Sequence, residues 1–129
     1  MFNVDREGII TLTRGDSFRV PLFINQGTCI DLIRYTINDK SEIYMAVTEP
    51  NQPFELALIK KKYTSKDLNE NGDIEISFNS EDTANILPGK YYYQIKAKLY
   101  DEEKNDFIVN TIIPKTQFFI IEWGNRYGL

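Results

Sequence analysis

Residues 67–78, DLNENGDIEISF, are the densest run of candidate metal ligands in the chain. A calcium-binding loop between two helices takes its oxygen ligands at positions 1, 3, 5, 7, 9 and 12, with glycine at 6. Asp67, Asn69, Asn71, Gly72, Asp73, Ile74 and Glu75 fit that spacing. Position 12 is Phe78 where a bidentate glutamate is needed, and the run leaves as an alternating strand instead of a helix. The expectation is a polar hairpin loop turned by Asn71-Gly72, because Asn-Gly readily adopts positive φ. No metal and no cofactor is expected.

Nucleophilic chemistry has few parts to work with. The chain has no histidine, which excludes Ser-His-Asp and Cys-His pairs and every histidine-based metal site. Cys29 is the single cysteine, so an intramolecular disulfide is impossible, and the thiol reads as a small buried hydrophobe. The carboxylates of Glu42, Glu49, Asp101, Glu102 and Glu103 fall on strands and turns, and no spacing pairs two of them across a cleft. The expectation is a protein that is not an enzyme.

Basic and aromatic groups suggest binding instead. Lys60, Lys61, Lys62 and Lys66 form a small basic cluster that reads as a solvated strand end. Lys90, Lys96 and Lys98 alternate with Tyr92 along one strand face, which could serve a single-stranded nucleic acid or simply face solvent. Tyr44, Tyr63 and Tyr100 could supply a carbohydrate platform. Arg14-Gly15-Asp16 is the tripeptide that some cell-surface receptors bind. It lies between two strand-like segments, and Gly15 and Asp16 are turn formers, so it reads as a turn.

The totals agree with one folded domain. The chain has 129 residues, 42% hydrophobic and 26% charged. Aromatics reach 13%, with eight Tyr and eight Phe, which favours strands. A net charge of −4 argues against a general nucleic-acid or anionic-membrane binder. No apolar run has the length of a membrane span. The start, MFNVDREG, lacks the apolar segment of a signal peptide, so synthesis in a cytoplasm is expected.

The elements follow from period-2 alternation. Ile9–Thr13 reads as a short strand. Phe18, Val20, Leu22 and Ile24 share one strand face, with Pro21 marking an edge. A short strand is expected at Arg34–Ile37. Ile43, Met45 and Val47 share a face. In FELALIKKKY, Leu56, Leu58 and Lys60 share a face. Ile74, Ile76 and Phe78 point inward. Ser80 caps one helical turn that Pro88-Gly89 stops. Tyr91, Tyr93, Ile95, Ala97 and Leu99 line the inner face of the longest strand. DEEKND turns a hairpin, and residues 107–113 and 116–122 flank Pro114 as one bent strand or two.

About seven to nine short strands with one helical turn predict a single immunoglobulin-like, antiparallel β-sandwich. Its boundaries are an arm at 1–8, a domain at 9–122 and a tail at 123–129. A tyrosine opening a late strand, Tyr91 or Tyr93, is expected to bond back to the adjacent corner.

Several stretches taken in order carry a resemblance. They are TRGDSFRVPLFI, KSEIYMAVTEP, LIKKKY, ISF, EDTANILPGKYYYQIKAKL and VNTIIPKTQFFIIE. Over residues 9–122 this order resembles small β-sandwich modules of phage and prophage structural proteins, notably the N-terminal domain of upper baseplate proteins. That module carries a D-T-x-x-L-x-P-G-x-Y-x-Y stretch, found here slightly respaced from Asp82 to Tyr93. The resemblance implies a non-enzymatic structural protein of a tailed-phage virion, made in the bacterial host's cytoplasm. Other virion proteins, in many symmetric copies, would be its partners. No long extension follows the module, which widens the expectation from the baseplate to an auxiliary site on the capsid. A carbohydrate- or surface-binding adhesion module is the alternative. Neither nucleic acid nor membrane is expected as a partner, and homo-oligomers fit.

Docking is assigned to the ends. Trp123, Arg126, Tyr127 and Leu129 combine residue types enriched at interface hot spots. Phe2, in the arm, is a second docking residue because its ring needs a dry surface.

Overall fold

The structure, a computed structural model, describes residues 2–22, 25, 26, 33, 34 and 37–122. Ten strands, one α-helical turn and two 3-10 turns, Phe54–Leu56 and Ser65–Asp67, are defined among them. In chain order these are β1 (Phe2–Val4), β2 (Ile10–Thr13), β3 (Phe18–Leu22), β4 (Asn25–Gln26), β5 (Ile33–Arg34) and β6 (Glu42–Thr48). There follow β7 (Ile59–Tyr63), β8 (Ile74–Phe78), α1 (Ser80–Ala84), β9 (Gly89–Asp101) and β10 (Asp106–Ile121). One sheet has six strands in the order β1-β2-β10-β9-β6-β7. A second has two, β3 and β8, and β4 pairs only with β5. The protein is an all-β sandwich. In immunoglobulin lettering β10-β9-β6-β7 is the G-F-C-C′ order and β3-β8 is B-E.

Alternation builds the two inner faces. Tyr91, Tyr93, Ile95, Ala97 and Leu99 on β9 are all buried, as are Ile43, Met45 and Val47 on β6. Ile74, Ile76 and Phe78 of β8 meet them from the other sheet. A run of rings crosses the core. Phe2 stacks on Phe18 at 4.0 Å, Phe18 on Phe78 at 4.8 Å and Phe78 on Phe118 at 5.8 Å, and Tyr93 meets Phe118 edge-on. These rings join β1, β3, β8, β10 and β9, so aromatic packing ties the sheets together.

The E–F corner holds the predicted tyrosine bond. Asn79 and Asp82 form a capping box, one residue before the cap expected at Ser80. The Asp82 carboxylate reaches back to the Asn79 N–H at 2.7 Å, so Asn79 takes the position outside the helix. Tyr91 then donates to the Leu87 carbonyl at 2.5 Å, and Tyr93 donates to the Gly8 carbonyl. Both tyrosines make a backbone bond.

Three further details differ from the sequence reading. First, β10 pairs with β2 in parallel, while its pairing with β9 is antiparallel. Second, β7 has another register. Phe54–Leu56 is a 3-10 turn, Leu56 and Leu58 are 63% and 44% exposed, and Ile59 and Tyr63 face the core. Pro53 precedes the turn, and tertiary packing claims the larger inward pair. Third, residues 2–4 of the expected arm form the edge strand β1 on β2. β10 is one strand, with register irregularities between Thr111 and Thr116, around Pro114. Pro21 sits on β3, whose one described partner is β8.

Candidate docking surface

The Arg14-Gly15-Asp16 segment is a tight turn fastened on three sides. Gly15 has φ +84, and the Asp16 N–H donates to the Thr13 carbonyl. Only glycine adopts such a φ without strain, so the turn follows from the sequence. The Gly15 N–H donates to Oγ1 of Thr83, a fully buried residue of α1. The Arg14 guanidinium pairs with Glu122 at 2.7 Å, and the Arg14 N–H donates to the Ile121 carbonyl. The arginine is thereby used to hold the end of β10.

Two of the calcium-like loop's ligand candidates, Asp67 and Asn69, are bonded to nearby backbone amides. Asp67 accepts from the Thr64 N–H at 2.8 Å in a capping box. Asn69 Oδ1 accepts from the N–H groups of Asn71 and Asp73. Gly72 takes φ +80, and Leu68 bridges to Ile74. Among the described residues no group of three or more His, Cys, Asp or Glu is placed to hold a metal.

Two lysines of the basic cluster, Lys61 and Lys62, are likewise engaged. Lys61 pairs with Asp82 at 2.7 Å and Lys62 with Glu42 at 2.5 Å. Glu42 also accepts from the Tyr44 hydroxyl. The hydrogen bond from Lys62, then that from Tyr44, holds the Glu42 carboxyl below its usual range, and the same contact with Glu42 raises Tyr44. On the outer face of the six-stranded sheet, Lys90 and Lys115 lie over Tyr92, Lys96 over Phe54 and Lys98 over Phe107. Each ammonium thus sits on a ring face that attracts cations.

The three tyrosines proposed for a sugar platform are not brought together as equals. Tyr63 is buried, its hydroxyl bonded to the backbone of Ser77 on β8. Burial pushes its pKa up, with bonds to Ser77 opposing the shift. Tyr44 is tied to Glu42, and Tyr100 donates to Asn105 and meets Phe107 edge-on at 5.0 Å.

The expected docking ends fare differently. Phe2 stacks on Phe18 and packs against the core, so its dry surface is within its own fold. Trp123, Arg126, Tyr127 and Leu129, and likewise Cys29, lie outside the described residues.

Exposed large apolar side chains among the described residues are Val4, Leu56, Leu58 and Leu87 and, three in a row, those of the β9–β10 hairpin. Phe107, Ile108 and Val109 are 41%, 44% and 67% exposed in consecutive positions. β2 runs beside β10 only from Phe118 to Ile121, so residues 106–116 have β9 on one side and no described strand on the other. This surface carried a signal in the sequence. FIVNTII is apolar at 107, 108, 109, 112 and 113, a pattern without period 2, so a single buried face cannot hold all five side chains.

Comparison with protein-family models, with curated proteins and with solved structures finds no match for this chain.

Proposed function

We propose that this protein is a non-enzymatic structural component of a tailed-phage particle, joining its neighbours through surface complementarity. The observation that carries a structural role is the β9–β10 hairpin, whose Phe107, Ile108 and Val109 are exposed in consecutive positions, alternating between its two faces. Exposed apolar groups on a rigid framework suit protein contacts. The chemically active groups support the same reading, since Arg14, Lys61, Lys62, Glu42, Asp67 and Asp82 are all engaged within the fold. The assignment to a virion rests on the resemblance of the TRGD turn, the Asp82–Tyr93 stretch and the closing strand to baseplate-type modules. Capsid and baseplate remain the two sites it suits.

Quantitative mass spectrometry of purified particles tests this reading. A copy number near that of the major capsid protein assigns the chain to the capsid lattice. A much lower number assigns it to the tail or baseplate. Absence from particles overturns the proposal and favours the adhesion module. Deleting residues 123–129 tests the tail separately: the expected result is a folded protein that no longer incorporates, and unchanged incorporation removes the tail from the interface.

A further inference from the structure

We propose that the outer edge of β10, centred on Asn110, pairs with the same edge of a second copy of this chain, so that two six-stranded sheets join into one. The inference goes beyond the virion assignment and is tested on the isolated protein, so either can fail alone.

Unpaired strand edges are normally guarded by charge, proline or shortness. The other edges here carry such guards. β7 presents Lys60 and Lys62, β3 carries Arg19 and Pro21, β8 carries Glu75, and β1 has three residues. Two copies of β7 placed side by side would bring lysines together. On β10 the guards, an irregular register and Pro114, lie after Thr111, and residues 107–111 before them hold no charge. β2 meets β10 only from Phe118 onward.

The backbone fixes where pairing would occur. The Phe107 N–H donates to Asp106 Oδ1 at 2.7 Å, which turns this amide to the outer side. Phe107 also stands directly opposite Tyr100 with the two rings in contact, as suits a pair that does not exchange backbone bonds. By the alternation of an antiparallel ladder, the amides of Val109 and Thr111 turn outward too. Asp106 already occupies the amide of Phe107, so Val109 and Thr111 are the groups left to pair.

Antiparallel pairing of Val109 with Thr111 of a second copy puts the two-fold axis at Asn110. Each contact then occurs twice, as an isologous interface requires. Charge fits the same arrangement. The turn of each hairpin, net acidic with Asp101, Glu102, Glu103 and Asp106 against Lys104, runs toward Lys115 of the other copy. An extended segment of an unrelated protein could use the same backbone groups, but it would lack this reciprocal match.

Sedimentation of the full chain over a concentration series is the test, with two variants. Wild type is expected to sediment as a dimer, and Val109→Lys as a monomer with an unchanged melting temperature, because Val109 is exposed. Asn110→Cys, in a Cys29→Ser background, is expected to form a disulfide-linked dimer under mild oxidation. The two Asn110 Cα atoms would be about 4.5 Å apart in such a pair, within disulfide reach. A monomeric wild type overturns the proposal. So does a dimer that survives Val109→Lys, or an Asn110→Cys protein that stays uncrosslinked.

Discussion

The Tyr91 hydroxyl donates to the carbonyl of Leu87, four residues back along the chain, and so pins the α1–β9 corner to the start of β9. Tyr91→Phe keeps the ring and removes this bond. The expected cost is about 1 kcal/mol, or about 4 °C in melting temperature for a domain of this size. Tyr92→Phe, on the outer face of the same strand, should cost less. Equal melting temperatures for the two variants would show that the corner bond contributes nothing.

Gly8 and Gly15 separate two sources of strain. Both have positive φ, +86 and +84. A Cβ at Gly15 would meet nothing within 4 Å, whereas one at Gly8 would lie 3.3 Å from the Tyr93 hydroxyl oxygen. Gly15→Ala is therefore expected to cost about 1–2 kcal/mol from backbone conformation alone. Gly8→Ala should cost more, because it also presses on the hydroxyl that bonds to Gly8. Urea midpoints measure both, and a larger loss at Gly15 contradicts the argument.

Thr83 is fully buried and accepts the Gly15 N–H at 2.9 Å. Thr83→Val keeps the shape and leaves that donor without its acceptor. The expected loss is about 1–3 kcal/mol, with Thr83→Ser losing less because it keeps the hydroxyl. Denaturant unfolding of the pair decides it. If valine is tolerated better than serine, packing and not the hydrogen bond holds the turn.

Stability should decline at both ends of the pH range, for different reasons. Burial raises the pKa of Tyr63, Tyr91 and Tyr93, so the fold holds their protons more tightly than the unfolded chain does. Their contribution is complete below the unfolded tyrosine value of about 10 and falls as pH rises beyond it. Glu42 is lowered by Lys62 and Tyr44, so its contribution is complete above the unfolded glutamate value of about 4.3 and is lost as pH falls through the folded value. Melting temperature against pH, with tyrosinate absorbance, should show the alkaline limb. Glu42→Gln should flatten the acid limb and, because Glu42 also raises Tyr44, soften part of the alkaline one; an unchanged acid limb would remove Glu42 from the account.

Calcium should not shift the melting temperature relative to a chelator, because Asp67 is committed to the Thr64 amide and Asn69 to the amides of Asn71 and Asp73. Asn69→Ala is expected to cost about 1–2 kcal/mol by releasing two of those amides. A rise in melting temperature with calcium, abolished by Asn69→Ala, would establish a binding site instead.

Some of this protein was legible locally. Ile74, Ile76 and Phe78 point inward, as do the five alternate residues from Tyr91 to Leu99, because a strand's side chains alternate whatever its neighbours are. Gly15 and Gly72 marked turns because few other residues adopt their φ. Where the local pattern had two readings, it misled. FELALIKKKY offers Leu56 and Leu58 or Ile59 and Tyr63 to the core, and only the neighbouring β6 and β8 decide for the second pair.

The sequence by itself determined the all-β class, the turns, most of the inward faces and the lack of histidine chemistry, since each depends on one residue type or a period of two. The tertiary structure alone decided that β2 lies parallel to β10, that Arg14 spans 108 positions to reach Glu122, and that Phe2 stacks on Phe18. It also decided that β2 meets β10 only from Phe118 onward and leaves the hairpin edge with no described strand beside it. These are pairings between distant segments. Their choice depends on which buried surfaces and backbone groups satisfy one another across the whole fold, and no local period encodes that.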